Sequence, residues 1–311
     1  NGIKALICLP AGAPISKVEA TKGYGAEVCL VPGVYDDAYA KAIELQKEHG
    51  YTFVHPFDDE LVIAGQGTIG LEILEQLPDV EAVVVPIGGG GLISGVAFAI
   101  KTLRPDVKVY GVQAAGAPSM ERSIHEGVPV HLDSVSTIAD GIAVKQPGEN
   151  TYELCKQYVD EIVTVNDDET AAAILALMER QKVVAEGAGA VAVAAVMFHK
   201  LPVDGKKVVC LVSGGNIDVN TLNRVITRGL AKSGRNYTFI IDLFDKPGQL
   251  SGVLHAIADL GANVISVTHE RINPTTEING CTIRLELETR DNAHIDEIRK
   301  SLMSSGFHVM N

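Results

Sequence analysis

The sequence predicts an α/β domain built on a mostly parallel sheet, followed by a small α+β domain of ferredoxin-like order. Three observations predict it. Apolar strand-like runs alternate with amphipathic helical runs through the first two thirds, the pattern of a parallel sheet covered by helices. Around Ser233-Gly234-Arg235-Asn236 the pattern changes to a compact β, α, β, β, α, β series. Four consecutive glycines in "AVVVPIGGGGLISG" stand where a valine strand meets an apolar helix. The 311 residues, 46% apolar and 21% charged, suffice for one large and one small domain.

The elements follow in order. "IKALICLP" reads as a strand and "PISKVEATKGYG" as a short helix stopped at Gly23 or Gly25. "AEVCLVPG" is the next strand, "YDDAYAKAIELQKEHG" a helix stopped by Gly50, and "YTFVHP" a third short strand. A helix over Leu61–Leu77 precedes the strand "EAVVVPIG", and a helix over Leu92–Leu103 precedes the strand "KVYGVQ". Helices over Glu169–Val184 and Ala188–Lys200 lead to the strand "KKVVCLVSGGN", which ends at a second glycine turn. In the small domain, "YTFIIDLF" is a strand. "PGQLSGVLHAIADLG" is a helix with Leu250, Val253, Leu254, Ile257 and Ala258 on one face. "NVISVTHERI" is a strand, and "CTIRLELET" sets Ile283, Leu285 and Leu287 against Arg284, Glu286 and Glu288, a half-exposed antiparallel strand. "HIDEIRKSLMSSG" is a helix and "FHVMN" the last strand.

Composition narrows the function. A net charge of −13 without a basic cluster argues against nucleic acid. No apolar run reaches the roughly 18 residues of a membrane span, and no secretory leader pattern opens the chain. The five scattered cysteines read as reduced core thiols, and the nine histidines show no local metal-ligand spacing. A cytoplasmic small-molecule enzyme without nucleic-acid, membrane or metal partners is the expectation.

The glycine loop carries the chemistry. At a helix N-terminus the first amides have no helical acceptor and carry partial positive charge. Glycines leave no Cβ between those amides and a ligand. The loop therefore suits a phosphate. It lacks the Lys-Ser/Thr of a nucleotide P-loop and the third glycine of the dinucleotide pattern, which points to a monophosphate; the competing reading is a tight turn needed only for packing. Ser213, after the strand "VVCLV", stands where α/β sheets bind ligands and could bond a ring nitrogen, or merely cap its turn.

"PIGGGGLISG", "TIADGIAV", "VVAEGAGAVAVAA", "LVSGGNIDV" and "LICLPAGAPISKVEATKGYGAEVCLV" together resemble the threonine dehydratase (threonine ammonia-lyase) family. These are pyridoxal 5′-phosphate enzymes of fold type II, with the tryptophan synthase β-like architecture. The resemblance runs from residue 1 to about residue 232, and the last segment resembles an ACT regulatory domain, as in catabolic-type enzymes. It implies a remnant of the small domain over 1–55, a cofactor-binding domain over 56–232 and an ACT domain over 237–311. It also implies that Gly88, Gly89, Gly90, Gly91 and Leu92 hold the phosphate, that Ser213 faces the pyridine nitrogen, and that Gly141 approaches the ring. Glu186 either lies near the ring or is a helix N-terminal acid favoured by the dipole. The implied reaction removes ammonia from L-threonine, and from L-serine, giving 2-oxobutanoate or pyruvate. The alternatives are a racemase or β-replacement enzyme of the same fold, and a non-catalytic ligand-binding fragment.

The resemblance also implies residues that this sequence lacks. The family's Schiff-base lysine lies in a Ser-Phe-Lys-x-Arg-Gly-type segment, and a Ser-x-Gly-Asn-His segment holds the substrate carboxylate. Neither occurs here, and Lys17, Lys22 and Lys145 match other family positions. The expectation is a chain truncated at its N-terminus, with no catalytic residue of its own and no activity alone. Where serine racemase-like relatives hold a divalent ion, the matching positions are Gln113, Ala117 and Ser119, without a carboxylate. In the ACT-like segment, Pro247, Gly248, Gln249, Leu250 and Asn263 are the expected effector-binding residues, with a plain strand–helix turn as the competing reading. Homodimers or homotetramers are the expected assembly.

Overall fold

The computed structural model describes residues 2–13, 15–33, 35–271 and 279–310. Pro14, which opens an expected helix, and Ile272 and Asn311, the last residues of two expected strands, lie outside them. The chain forms two compact units, residues 1–62 and 63–311.

In the first unit, strands β1 (Leu6–Pro10) and β2 (Glu27–Val31) pair in parallel, joined by helix α1 (Ile15–Gly23) and followed by helix α2 (Tyr35–His49). The expected strand at "YTFVHP" is not formed: among the described residues the sheet here contains only β1 and β2. Its side chains go to aromatic packing instead. Phe53 meets Tyr39 edge-on at 5.6 Å, and His55 meets Phe57 at 4.8 Å. The amides of Phe57 and Asp58 donate to His55 Nδ1.

The second unit opens from helix α3 (Glu60–Gln76) into a four-stranded parallel sheet in the order β5-β4-β3-β6. These are β3 (Ala82–Pro86), β4 (Lys108–Ala114), β5 (Glu161–Val165) and β6 (Val208–Cys210). Every residue of β3 is buried, as a central parallel strand covered on both faces requires. Helices α3 and α4 (Gly91–Leu103) pack on one face with α5 (Ser119–Glu126) and α6 (Glu149–Tyr158). Helices α7 (Asp167–Ala176), α8 (Gly187–Met197) and α9 (Val219–Lys232) cover the other.

The helix expected over Glu169–Val184 differs at both ends. Asn166 and Glu169 form a reciprocal capping box that starts α7 two residues earlier. A π-turn over Leu177–Gln181 then ends it, with Lys182 left-handed at φ +59°. Residues 182–186 run on outside any helix toward the site described below. No helix among the described residues is long and apolar enough to cross a membrane.

Beyond α9 the chain folds as β7 (Asn236–Phe244), α10 (Gln249–Asp259), β8 (Asn263–Glu270), β9 (Gly280–Glu288), α11 (Asn292–Ser304) and β10 (His308–Met310). The antiparallel order β10-β7-β9-β8 is the ferredoxin-like arrangement. Ile283, Leu285 and Leu287 are fully buried, as their alternation requires. On α10 Leu250, Val253, Leu254 and Ile257 face the core as expected, while Ala258 is exposed and Ala256 packs inward instead. The expected face is thus rotated at its C-terminal end.

Candidate cofactor site

Register places the two glycine turns side by side. Val84 of β3 pairs with Cys210 of β6, and the Leu211 amide donates to the Val84 carbonyl at 3.0 Å. Both chains then leave the carboxyl edge of the sheet, one as Gly88–Gly91 and the other as Ser213–Gly215. Ser213 is exposed there.

The loop 88–91 is fixed from behind. Gly90 caps α4 in the left-handed conformation, φ +101°. A β-carbon there would stand 2.7 Å from the Met120 methyl and 2.8 Å from Thr151 Cβ. The Gly89 carbonyl accepts from Thr151 Oγ1 at 2.6 Å and from the Gly148 amide at 3.3 Å. With its acceptor engaged on the α6 side, the loop offers the first-turn amides of α4, which have no acceptor within the helix.

One further segment closes on this loop, and two more join it in series. A β-carbon on Gly88 would lie 3.1 Å from Ile142 Cα, which brings the Asp140–Ile142 turn against the loop. One on Gly141 would lie 3.1 Å from Ala188 Cβ and 3.5 Å from Glu186 Oε1. One on Gly214 would overlap the Glu186 carboxylate, and the Glu186 amide donates to the Gly214 carbonyl at 3.1 Å. Glu186 caps α8 through its backbone without a side-chain cap bond, so its carboxylate is half-buried between Gly141 and Gly214. Among the sequence-predicted cofactor residues, Gly88–Leu92, Gly141 and Glu186 therefore converge, with Ser213 beside Gly214. Gly214 and Gly189, whose β-carbon would stand 2.5 Å from the Gly214 carbonyl, were missed; only the glycine spacing of "EGAGA" and "SGG" signals them.

This constellation fits a phosphorylated ring. Bare amides at a helix N-terminus suit a phosphate. The bare backbone at 141 and 214 lets Ala188 and the Glu186 carboxylate pack close, and Ser213 supplies a neutral hydroxyl.

The remaining predicted residues stand elsewhere. Lys17 is exposed, Lys22 is exposed and paired with Glu19 at 3.0 Å, and Lys145 is half-buried. Gln113, Ala117 and Ser119 are fully buried, and Gln113 Oε1 accepts from the Glu121 amide. In the C-terminal domain, Gly248 is left-handed at φ +91° and caps α10 with open space around it. Asn263 is not near this turn. It pairs with Glu288, as does Asn236 at the start of β7, whereas the turn follows the far end of β7. The whole of α10 separates them, because a strand that follows a crossover helix starts from the opposite end. Asn263 instead donates to Glu288 at 2.9 Å.

The profile of the pyridoxal-phosphate dependent enzyme family matches residues 1–214. The L-threonine ammonia-lyase of Thermotoga maritima is 54% identical over 308 residues, covering 99% of this chain and 77% of that protein. The catabolic L-threonine dehydratase TdcB of Escherichia coli is 47% identical over 226 residues, 72% of this chain and 69% of that one. Among solved structures, processed threonine deaminase isoform 2 from Solanum lycopersicum superposes with a TM-score of 0.68 at 40% identity. That match covers 72% of this chain and 62% of the tomato chain. Maize serine racemase superposes with the same TM-score at 35% identity, over 74% and 71%.

Proposed function

The chain belongs to the pyridoxal-phosphate dependent enzyme family, and on that premise we propose that its site serves deamination of L-threonine, and of L-serine, to 2-oxobutanoate or pyruvate plus ammonia. The observation that carries this reading is the similarity to the Thermotoga L-threonine ammonia-lyase. At 308 of 311 residues it takes in the C-terminal domain as well as the site.

When bound, pyridoxal 5′-phosphate supplies the electron sink that makes a substrate α-proton removable. The first-turn amides of Gly91 and Leu92, with the loop from Gly88, would hold its phosphate without a charged side chain. Ser213 would present a hydroxyl, and no charge, to the ring nitrogen. Gly141 and Gly214 admit the Glu186 carboxylate between them, where it would stand beside the bound ring. The family's lysine motif does not occur among the 311 residues, so this chain alone binds without turnover. Placing that lysine-bearing segment ahead of residue 1 should yield threonine-dependent 2-oxo acid. A folded, cofactor-loaded fusion that produces none would overturn the reading.

Similarity to maize serine racemase supports a second reading, racemisation on the same scaffold. Appearance of D-serine in place of pyruvate would favour it.

The C-terminal domain in this proposal is an ACT-type regulatory domain. Its effector, a branched-chain amino acid or a nucleotide, sits on the open N-terminus of α10 at Pro247, Gly248, Gln249 and Leu250. The assembly is a cytoplasmic homodimer or homotetramer.

A further inference from the structure

Three strands of the C-terminal sheet bring unlike metal-ligating side chains to one point. Partners in an antiparallel ladder point to the same face. Leu243 of β7 pairs with Cys281 of β9, and Ile283 of β9 pairs with His269 of β8. Asp245 lies two residues beyond Leu243, held in line by the hydrogen bond its N–H donates to the Asn279 carbonyl at 2.8 Å. Asp245, Cys281 and His269 therefore share one face at one end of the sheet, with β9 in the middle. Their ligand atoms, a carboxylate oxygen, a thiol sulfur and an imidazole nitrogen, all lie within 4.8 Å of one another. Cys281 is buried, whereas Asp245 and His269 are exposed, so the cluster is open on one side. Arg271 Nε stands 3.4 Å from Asp245 Oδ1, an exposed pair that a bound ion would displace.

We propose that Asp245, His269 and Cys281 form a binding site for a borderline transition-metal dication of the zinc class. A tetrahedral ion bonded at about 2.0–2.3 Å sets its ligands roughly 3.3–3.8 Å apart, within reach of side-chain rotation from the distances seen. A thiolate and imidazole set selects zinc, cobalt or nickel over magnesium or calcium. Solvent takes the fourth position. The same residue types also build nucleophilic relays, but a relay puts thiol and carboxylate on opposite sides of the imidazole. Here all three atoms are mutual neighbours, which is the geometry of chelation. The ion would pin the segment leaving β7, two residues before Pro247.

The test is titration of the reduced, metal-stripped full chain with Co2+ alone, followed by Zn2+ displacement. One Co2+ per chain with a thiolate-to-cobalt charge-transfer band is expected. Cys281→Ser should abolish the band, and His269→Gln, at an exposed position that leaves the fold intact, should weaken binding at least about tenfold. Absence of a thiolate band in the native chain, its persistence in C281S, or unchanged affinity in H269Q would each overturn the proposal.

Discussion

At Gly90 a single methyl group separates a working loop from a broken one. The residue is left-handed, and its missing β-carbon would meet Met120 and Thr151, the side chain that holds the Gly89 carbonyl. Gly90→Ala therefore strains the backbone and pushes on the bond that orients the loop, together about 2 kcal/mol or more. Absorbance titration should show pyridoxal 5′-phosphate affinity falling at least about tenfold, along with a lower Tm. Ser213→Ala touches only the far end of the site. Affinity should stay within about threefold, because the phosphate amides remain, while turnover of the lysine-completed protein drops. Equal affinity losses in both variants would contradict the division of roles. Asp160, at the amino end of the sheet, is a stability group. Burial would raise its pKa, but Lys101 at 2.6 Å, Lys108 at 2.8 Å and the Val109 amide outweigh burial and hold it below the ordinary aspartate range. A pKa lowered by folding adds stability above the unfolded value, and that stability is lost as pH falls through the lower, folded value. Asp160→Asn should accordingly cost about 1 kcal/mol at neutral pH, and the gap should close on acidification, as read by urea unfolding across that range.

Between elements, α3 and α4 cross with their backbones in contact. A β-carbon on Gly95 would overlap the Ile63 carbonyl and stand 2.6 Å from the Gly67 amide nitrogen; one on Gly70 would stand 3.0 Å from the Val96 carbonyl. Gly95→Ala has to part the helices, and α4 carries the phosphate loop at its start. A loss of about 2–3 kcal/mol in stability is expected, with weakened cofactor binding. Gly65→Ala, exposed on the same α3 with nothing within 4 Å, should instead gain about 0.5–1 kcal/mol. Thermal unfolding of the pair separates packing from helix propensity. Legibility in the sequence follows the same physics. β3 and β9 were legible because burial on two faces or on one leaves a run or an alternation. "EIVTV", which forms β5, alternates over only five residues and was missed, as were the short α5 and α6 and the longer α9. Local pattern also could not show that "YTFVHP" has no strand to pair with, nor that a π-turn ends α7. Gly88–Gly91 and Ser213 were legible because each follows a strand end. The contacts of Gly141 with Glu186 and of Gly214 with Glu186 join distant segments. The Asp245, His269 and Cys281 cluster needs three strands in register, which no spacing rule encodes.

For the second unit as a whole, the question is whether its cofactor site needs the C-terminal sheet. The buried residues flanking the parallel sheet run from Val80 to Val225, and those of the ferredoxin-like domain from Phe239 to Leu302, with no residue in common. What joins them is narrow. Arg235 pairs with Glu179, the Thr289 amide donates to the Arg235 carbonyl, and Thr289 Oγ1 donates to the Gly234 carbonyl. Gly234 itself has no room for a side chain, since a β-carbon would stand 2.5 Å from the Asn292 amide nitrogen. Among the described residues the join is specific, and on the proposed regulatory reading it would carry a bias to the 177–181 turn and the end of α9. A chain ending at Ser233 should keep pyridoxal 5′-phosphate affinity within about threefold, because every residue of the loop, the Glu186 slot and Ser213 stays with its own core. In the lysine-completed protein the same deletion should abolish any response of threonine turnover to branched-chain amino acids or nucleotides. Loss of cofactor binding together with cooperative unfolding in the shortened chain would mean that the C-terminal sheet completes the large domain's core. A surviving effector response would place the regulatory site on the parallel-sheet domain and remove the turn at Pro247–Leu250 from the mechanism.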